Sequence, residues 1–143
     1  MFGLKVRDVM EHKLLIEPPE TMVSTAAKQM ARRKVGAVLV VEHGRLLGIF
    51  TERDAVFRVI AKGLVPEATP LAEVMTAAPQ VVDPDKSFGY ALLLMFENSF
   101  RHVPVVERGK LIGIVSARNA LDPDLEEFVA ESQRREQIQR ECN

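Results

Sequence analysis

Two stretches of the chain set a glycine, a hydroxyl and an oxygen-bearing side chain at one fixed spacing, Gly48–Asp54 and Gly113–Asn119. Each reads Gly, hydrophobic, any residue, Thr or Ser, any residue, Arg, then Asp or Asn. The residues before the hydroxyl have strand character and those after it helix character. Thr51 and Ser116 therefore fall at a helix N-cap, with Asp54 and Asn119 at N3. Such a pair can close a variant of the capping box. The same geometry can also bind. Unpaired N–H groups at a helix start carry partial positive charge that suits phosphate, and the hydroxyl can donate to a phosphate oxygen. A carboxylate three residues on can accept both hydroxyls of a vicinal diol, which is what ribose presents. Phosphate donor plus diol acceptor suits a nucleotide. A cap suits the residues equally well, and spacing alone leaves both readings open. Capping does not account for Gly48 and Gly113, which mark where the backbone must come close to something.

The elements that position these motifs are themselves duplicated. Shifted by 65 residues, the sequence lands on itself without a gap: RDVM at 7–10 meets AEVM at 72–75, Pro19 meets Pro84 and Met30 meets Met95. Between 40–56 and 105–121, nine of seventeen positions are identical, and Arg45/Lys110, Leu47/Ile112, Thr51/Ser116 and Asp54/Asn119 are conservative pairs. This is a tandem duplication. Each copy opens with a short apolar run (Leu14–Ile16; Val81 and Val82) ending at a proline turn. Helical spacing follows, in Val23, Ala26, Ala27, Met30 and Ala31 and again in Phe88, Ala91, Leu92, Met95 and Phe96. Ala37–Val41 and Val103–Val106 read as buried strands, and Leu46–Phe50 and Leu111–Val115 as their return strands. Gly44 and Gly109 supply the positive φ of the hairpin turns between them.

The predicted fold class is α/β (α+β): two β-α-β-β-α units related by a pseudo-two-fold axis, plus a C-terminal helix. The first unit is expected over 1–60, a linker over 61–70 carrying Gly63, Pro66 and Pro70, the second unit over 71–122 and the tail over 123–143. A unit of about 50 residues buries too little surface to be reliably stable alone, so the two are expected to pack face to face. In the tail, Asp122 or Asp124 can cap a helix with Glu126 and Glu127 in its first turn and Leu125, Phe128, Val129 and Ser132 on a narrow stripe. It reads as a solvated helix or dimer seam, with a partner-recruiting tail as the alternative.

Composition narrows the function. Of 143 residues, 47% are apolar and 27% charged, the balance of a folded globular protein. The net charge of −1 argues against a general nucleic-acid binder, and no Trp with a single Tyr argues against an aromatic base-stacking platform. No apolar run reaches the roughly 18 residues of a membrane span, and MFGLKVRDVM lacks the apolar core of a signal peptide. With one cysteine, Cys142, the expected compartment is a reducing cytoplasm. Catalysis is not expected. His12, His43 and His102 lack metal-ligand spacing, Cys142 has no nearby His, and there is no phosphate-binding G-x-x-x-x-G-K-S/T loop or G-x-G-x-x-G. The repeated Glu42 and Glu107 read as exposed hairpin residues.

Across about 6–122 the sequence resembles a tandem cystathionine-β-synthase (CBS) domain pair, or Bateman module. The resemblance is carried by Val-Met at 9–10 and 74–75, the proline turns, RHVPVVERGKLIGIVS at 101–116 and the two G-h-x-T/S-x-x-D/N motifs. It implies that Thr51 and Ser116 contact phosphate and that Asp54 and Asn119 hold the ribose diol. It also implies that Arg101 and His102 lie at a strand edge facing phosphate, and that residues near Ile16 and Val82 line adenine. Arg101 and His102 read otherwise as surface residues, and Arg53 and Arg118 as solvated helix positions.

Two departures from the pattern bear on affinity. Asn119 replaces a carboxylate, and the first copy has Lys34–Leu39 where the second has Ser99–Pro104, so it lacks the Arg-His pair. Unequal sites are expected. The resemblance implies a stand-alone regulator that binds AMP, ADP or ATP in the cleft between its units and signals by changing shape or partner binding. S-adenosylmethionine and NAD present the same adenosine. A triphosphate would call on Arg53, Arg101, His102 and Arg118, and so few cations favour AMP or ADP. No cofactor is required; the expected partners are a second copy, forming a homodimer, and an unidentified effector protein, with no membrane. The competing reading is a ligand-free dimerisation scaffold with vestigial sites.

Overall fold

Hairpins with a positive φ at both turn residues organise the chain. His43 and Gly44 have φ of 53° and 74°, and Arg108 and Gly109 have 52° and 78°. Two such residues match the right-handed twist of the strands they join. A computed structural model describes residues 3–122 together with Arg134, Arg135, Gln137, Ile138 and Arg140. Those last five positions are helical; the rest of the expected C-terminal helix lies outside the described residues.

The described chain divides into two compact units that do not follow the sequence copies: Lys13–Gln80, and Met1–His12 together with Val81–Asn143. In the first of these, β1 (Ile16–Glu17), α2 (Val23–Arg33), β2 (Ala37–Glu42) and β3 (Arg45–Thr51) follow one another, after α1 (Val6–Val9) of the other unit. Next come α3 (Glu52–Asp54), running on as a π-helix over Ala55–Ile60, then α4 (Leu71–Val74) and β4 (Thr76–Ala77). The sheet order is β1-β2-β3-β4, with β1 parallel to β2 and the other pairs antiparallel. Its apolar face packs on Val23, Ala26 and Met30 of α2, Val59 of the π-helix, and Leu71 and Val74 of α4. The expected linker is built in rather than loose. Val23 N–H donates to Thr69 O and Ser24 N–H to Pro66 O, and Thr69 is buried with its hydroxyl on Val65 O at 2.7 Å.

The other unit repeats this plan with fewer paired residues. It holds α1, α5 (Phe88–Asn98), β5 (His102–Glu107) and β6 (Lys110–Ser116), ending in a 3-10 helix over Ala117–Leu121. Val82 bridges β5 in parallel through Val105, and Glu11 bridges β6 in antiparallel through Ile114. Residues 3–12, part of the first sequence copy, thus complete the unit built from the second. Arg7 fastens them there through Glu107 and, at 3.3 Å, Asp85. Its hydrogen bond to Glu107, then that to Asp85, raises the guanidinium pKa above its ordinary value.

Backbone conformation repeats even where residue type does not. Both long helices stop at a left-handed residue, Lys34 (φ 56°) and Ser99 (φ 59°), 65 positions apart. The strand register shifts at Val40/Val41 and again at Val105/Val106. Of the helical residues picked out by spacing, Val23, Ala26, Met30, Phe88, Ala91 and Met95 are buried, whereas Ala27, Ala31 and Phe96 are exposed. The helix α5 is apolar nearly all round, so spacing alone could not fix its buried face.

Candidate functional site

Each motif sits where the hairpin's return strand runs into a helix. Thr51 holds extended backbone (φ −118°, ψ 169°) and Ser116 does the same (φ −128°, ψ 159°), as an N-cap must. The cap is formed in both copies. Thr51 N–H donates to Asp54 Oδ2 at 2.9 Å, and Thr51 Oγ1 both donates to Oδ2 (3.3 Å) and accepts from Asp54 N–H (3.4 Å). In the second copy Ser116 N–H and Oγ donate to Asn119 Oδ1 at 2.7 and 3.2 Å. The next N–H is taken as well: Glu52 N–H donates to Gly36 O and Ala117 N–H to Arg101 O.

Beyond the cap the two copies differ. The other carboxylate oxygen of Asp54, Oδ1, lies 3.4 Å from Arg58 Nε, and Arg58 also reaches the carbonyls of Val74 and Met75. At Asn119 the corresponding atom is Nδ2, a donor, which bonds Glu11 Oε1 at 3.2 Å. The helices differ too. Nine residues continue from Glu52 to Ile60, against five in the 3-10 turn after Ser116. A single short turn sums few peptide dipoles, so attraction of an anion by the helix is weaker at Ser116.

The two glycines answer to structure. A Cβ on Gly48 would overlap the Met75 side chain and stand 2.9 Å from Thr76 O. One on Gly113 would meet the Met10 side chain and Glu11 O, the latter at 3.0 Å. The Val-Met pair and the glycine are thus one packing motif, in which a methionine lies on bare backbone while the next residue joins the strand edge.

The remaining residues fall unevenly. His102 is half-buried and pairs directly with Ser116 across the β5–β6 ladder, and exposed Arg101 precedes it; Ala37 takes the matching place opposite Thr51. Arg53 is exposed over the Phe57 ring at 5.6 Å, and Arg118 is exposed. Ile16 is 48% exposed, but Val82 is 2% exposed and belongs to the core. Its neighbour Val81, 44% exposed, is the counterpart of Ile16 under the 65-residue shift. Successive residues of an extended chain face opposite sides, so Val81 and not Val82 is available to a ligand. Glu11 escapes motif reasoning. Its only sequence signal is that Thr76, its counterpart, is not acidic. Among the described residues no group of three or more His, Cys, Asp or Glu could hold a metal ion. No helix there is long and apolar enough to cross a membrane.

This fold, with its doubled strand-turn-helix motif, is shared by known proteins. The CBS domain family model matches residues 6–61 and 71–124, and the chain belongs to that family as a tandem CBS pair. CBS domain-containing protein YhcV of Bacillus subtilis is 35% identical over 111 residues, covering 78% of this chain and 79% of that protein. CBSCBSPB3 of Arabidopsis thaliana is 41% identical over 110 residues, 76% of this chain; the chain spans about a fifth (20%) of that protein's length. Among solved structures, the CBS-domain containing protein ATU1752 of Agrobacterium tumefaciens superposes with a TM-score of 0.76 at 30% identity, over 82% of this chain and 96% of that one. CBS domain protein PAE2072 of Pyrobaculum aerophilum, solved in complex with AMP, gives 0.76 at 21% identity, over 90% and 99%. The latter likeness is one of fold. CBS-pair proteins are typically regulatory rather than catalytic.

Proposed function

We propose that the chain is a regulatory CBS pair that binds an adenosine nucleotide at its strand-helix junctions, Thr51–Asp54 foremost. One observation carries this reading. Asp54 caps its helix with a single oxygen, Oδ2, which leaves Oδ1 facing the half-exposed guanidinium of Arg58. That oxygen is the acceptor a ribose hydroxyl needs, and the Thr51 hydroxyl beside it can turn from its 3.3 Å bond toward phosphate. Ile16 offers an exposed apolar edge for adenine. At the second copy Ser116, Arg101, His102 and Val81 are the corresponding groups, Arg101 and His102 adding positive charge. AMP or ADP suits these few cations better than a triphosphate. Binding shifts the protein between states only by its differential affinity for them, and the output passes to a second protein.

A thermal-shift panel with AMP, ADP, ATP, S-adenosylmethionine and NAD, and with GMP as control, tests the reading. A ligand at 100 times its dissociation constant adds about 2.7 kcal/mol, several degrees for a chain this size. A shift with adenosine ligands and none with GMP supports it; a melt unmoved by all of them at millimolar concentration overturns it.

A second reading is favoured by exposed apolar side chains. Tyr90, Leu93 and Phe96 follow one another along α5, and Val56, Phe57 and Ile60 along the π-helix. Such faces suit self-association into a homodimer, which accompanies nucleotide binding in the first reading and is itself the function in the second.

A further inference from the structure

The two compact units depart from each other at two positions, which touch in the second of them. Where the Lys13–Gln80 unit has Asp54 at N3 and Thr76 at the strand edge, the other unit has Asn119 and Glu11. The positions correspond in space as well: Thr76 pairs with Ile49, and Glu11 with Ile114, residues 65 apart. Asn119, a buried residue, spends its amide oxygen on the cap, accepting from both Ser116 N–H and Oγ, and gives Nδ2 to Glu11. Nδ2 has no lone pair for a hydroxyl. The atom it holds, Glu11 Oε1 at 3.2 Å, does. Glu11 is fixed there by paired backbone hydrogen bonds to Ile114 of 2.8 and 3.1 Å, while its side chain stays at the surface. The pair of replacements removes one carboxylate at N3 and restores one in contact with the residue that took its place.

We propose that Glu11 is the diol acceptor of the second site, with Asn119 as the positioning residue that aims it. This rests on the nucleotide reading above. It makes diol recognition at Ser116 depend on a residue 105 positions upstream of that serine, outside the motif that defines the site.

The test compares AMP with 2′,3′-dideoxy-AMP by calorimetry, in full-length chain whose first site is silenced by Thr51→Ala and Asp54→Ala. AMP is expected to bind at least tenfold tighter than the dideoxy nucleotide. Glu11→Gln keeps an acceptor for Asn119 but loses the charge; it should bring the ratio below about threefold and leave dideoxy-AMP affinity unchanged. Adding Asn119→Asp should restore the preference. An unchanged ratio in Glu11→Gln, or equal weakening of both nucleotides, overturns the inference alone. So does a silenced chain that binds no AMP while the native chain does. A native chain that binds no AMP overturns the nucleotide reading with it. If the silenced chain does not fold, Glu11→Gln in the native background gives the same answer as loss of the preference at one of two sites.

Discussion

The thioether of Met10 occupies the space that a Cβ on Gly113 would fill, and Met75 stands in the same relation to Gly48. In both cases the residue after the methionine then joins the neighbouring strand, so one small residue serves two contacts. Gly48→Ala and Gly113→Ala should each destabilise the protein by about 1–3 kcal/mol, as overpacked sites do. Urea unfolding reads this directly. Trimming the methionine (Met75→Ala or Met10→Ala) should recover only part of the loss, because the carbonyls of Thr76 and Glu11 remain at 2.9 and 3.0 Å. Unchanged midpoints in the glycine variants would show that the edge strand yields freely.

Asn119 shows that an amide can make the N3 contact to the N-cap N–H, so Asp54→Asn should still fold, at a cost of up to about 1 kcal/mol for the lost ion pair with Arg58. It exchanges the charged acceptor of a ribose hydroxyl for a neutral group, a difference of about 1–1.5 kcal/mol, or roughly tenfold in AMP affinity. Thr51→Ala should behave differently. Losing the cap costs about 1 kcal/mol of stability, and losing the hydroxyl weakens phosphate-bearing ligands more than adenosine. Melting curves and titrations of the two variants separate these effects; equal behaviour would argue that the segment is a cap alone.

Val81 and Val82 are adjacent but face opposite ways. Val82→Ala removes buried methyl groups and should cost about 2 kcal/mol, whereas Val81→Ala should leave the melt almost unchanged. If Val81 lines adenine, Val81→Asp should weaken AMP binding severalfold without unfolding the chain. Loss of stability in the Val81 variants instead would place that side chain in the core.

The α5 face gives a separate handle on self-association. Phe96 is 84% exposed and Leu93 53%, so Leu93→Glu and Phe96→Glu together should leave folding intact. The expected result is a homodimer reduced to monomer in light scattering, with the melting temperature of the dissociated chain retained. A native chain that is monomeric at every concentration would remove the dimer from both readings.

Local signals carried much of this architecture. The 65-residue repeat, the Gly44 and Gly109 turns and the buried positions Val23, Ala26 and Met30 follow from spacing and turn chemistry. What stayed hidden was non-local or too short to have a period. The helices α1 and α4 have four residues each, one turn, so no recurrence marks them. A two-residue strand such as β1 shows no alternation, which is why the exposed member of Val81 and Val82 could not be told from sequence. The motif residues Thr51, Asp54, Ser116 and Asn119 were legible as a group, but not the division of labour between Asp54 Oδ1 and Oδ2. Glu11 meets Asn119 only through a bridge to Ile114 that no window of neighbouring residues contains.

The mismatch between sequence copy and compact unit has a consequence for dissection by gene fragment. A piece cut at the family boundaries, 6–61, omits α4 and β4 and leaves one flank of β3 bare, an edge open to aggregation. A piece spanning 13–80 keeps all four strands and every side chain of that core. Its complement is discontinuous, and a circularly rearranged gene that joins residue 122 to residue 1 would make it contiguous. The ancestral duplication (6–61) and the present folding unit (13–80) therefore have different boundaries at both ends, and excision should follow the second.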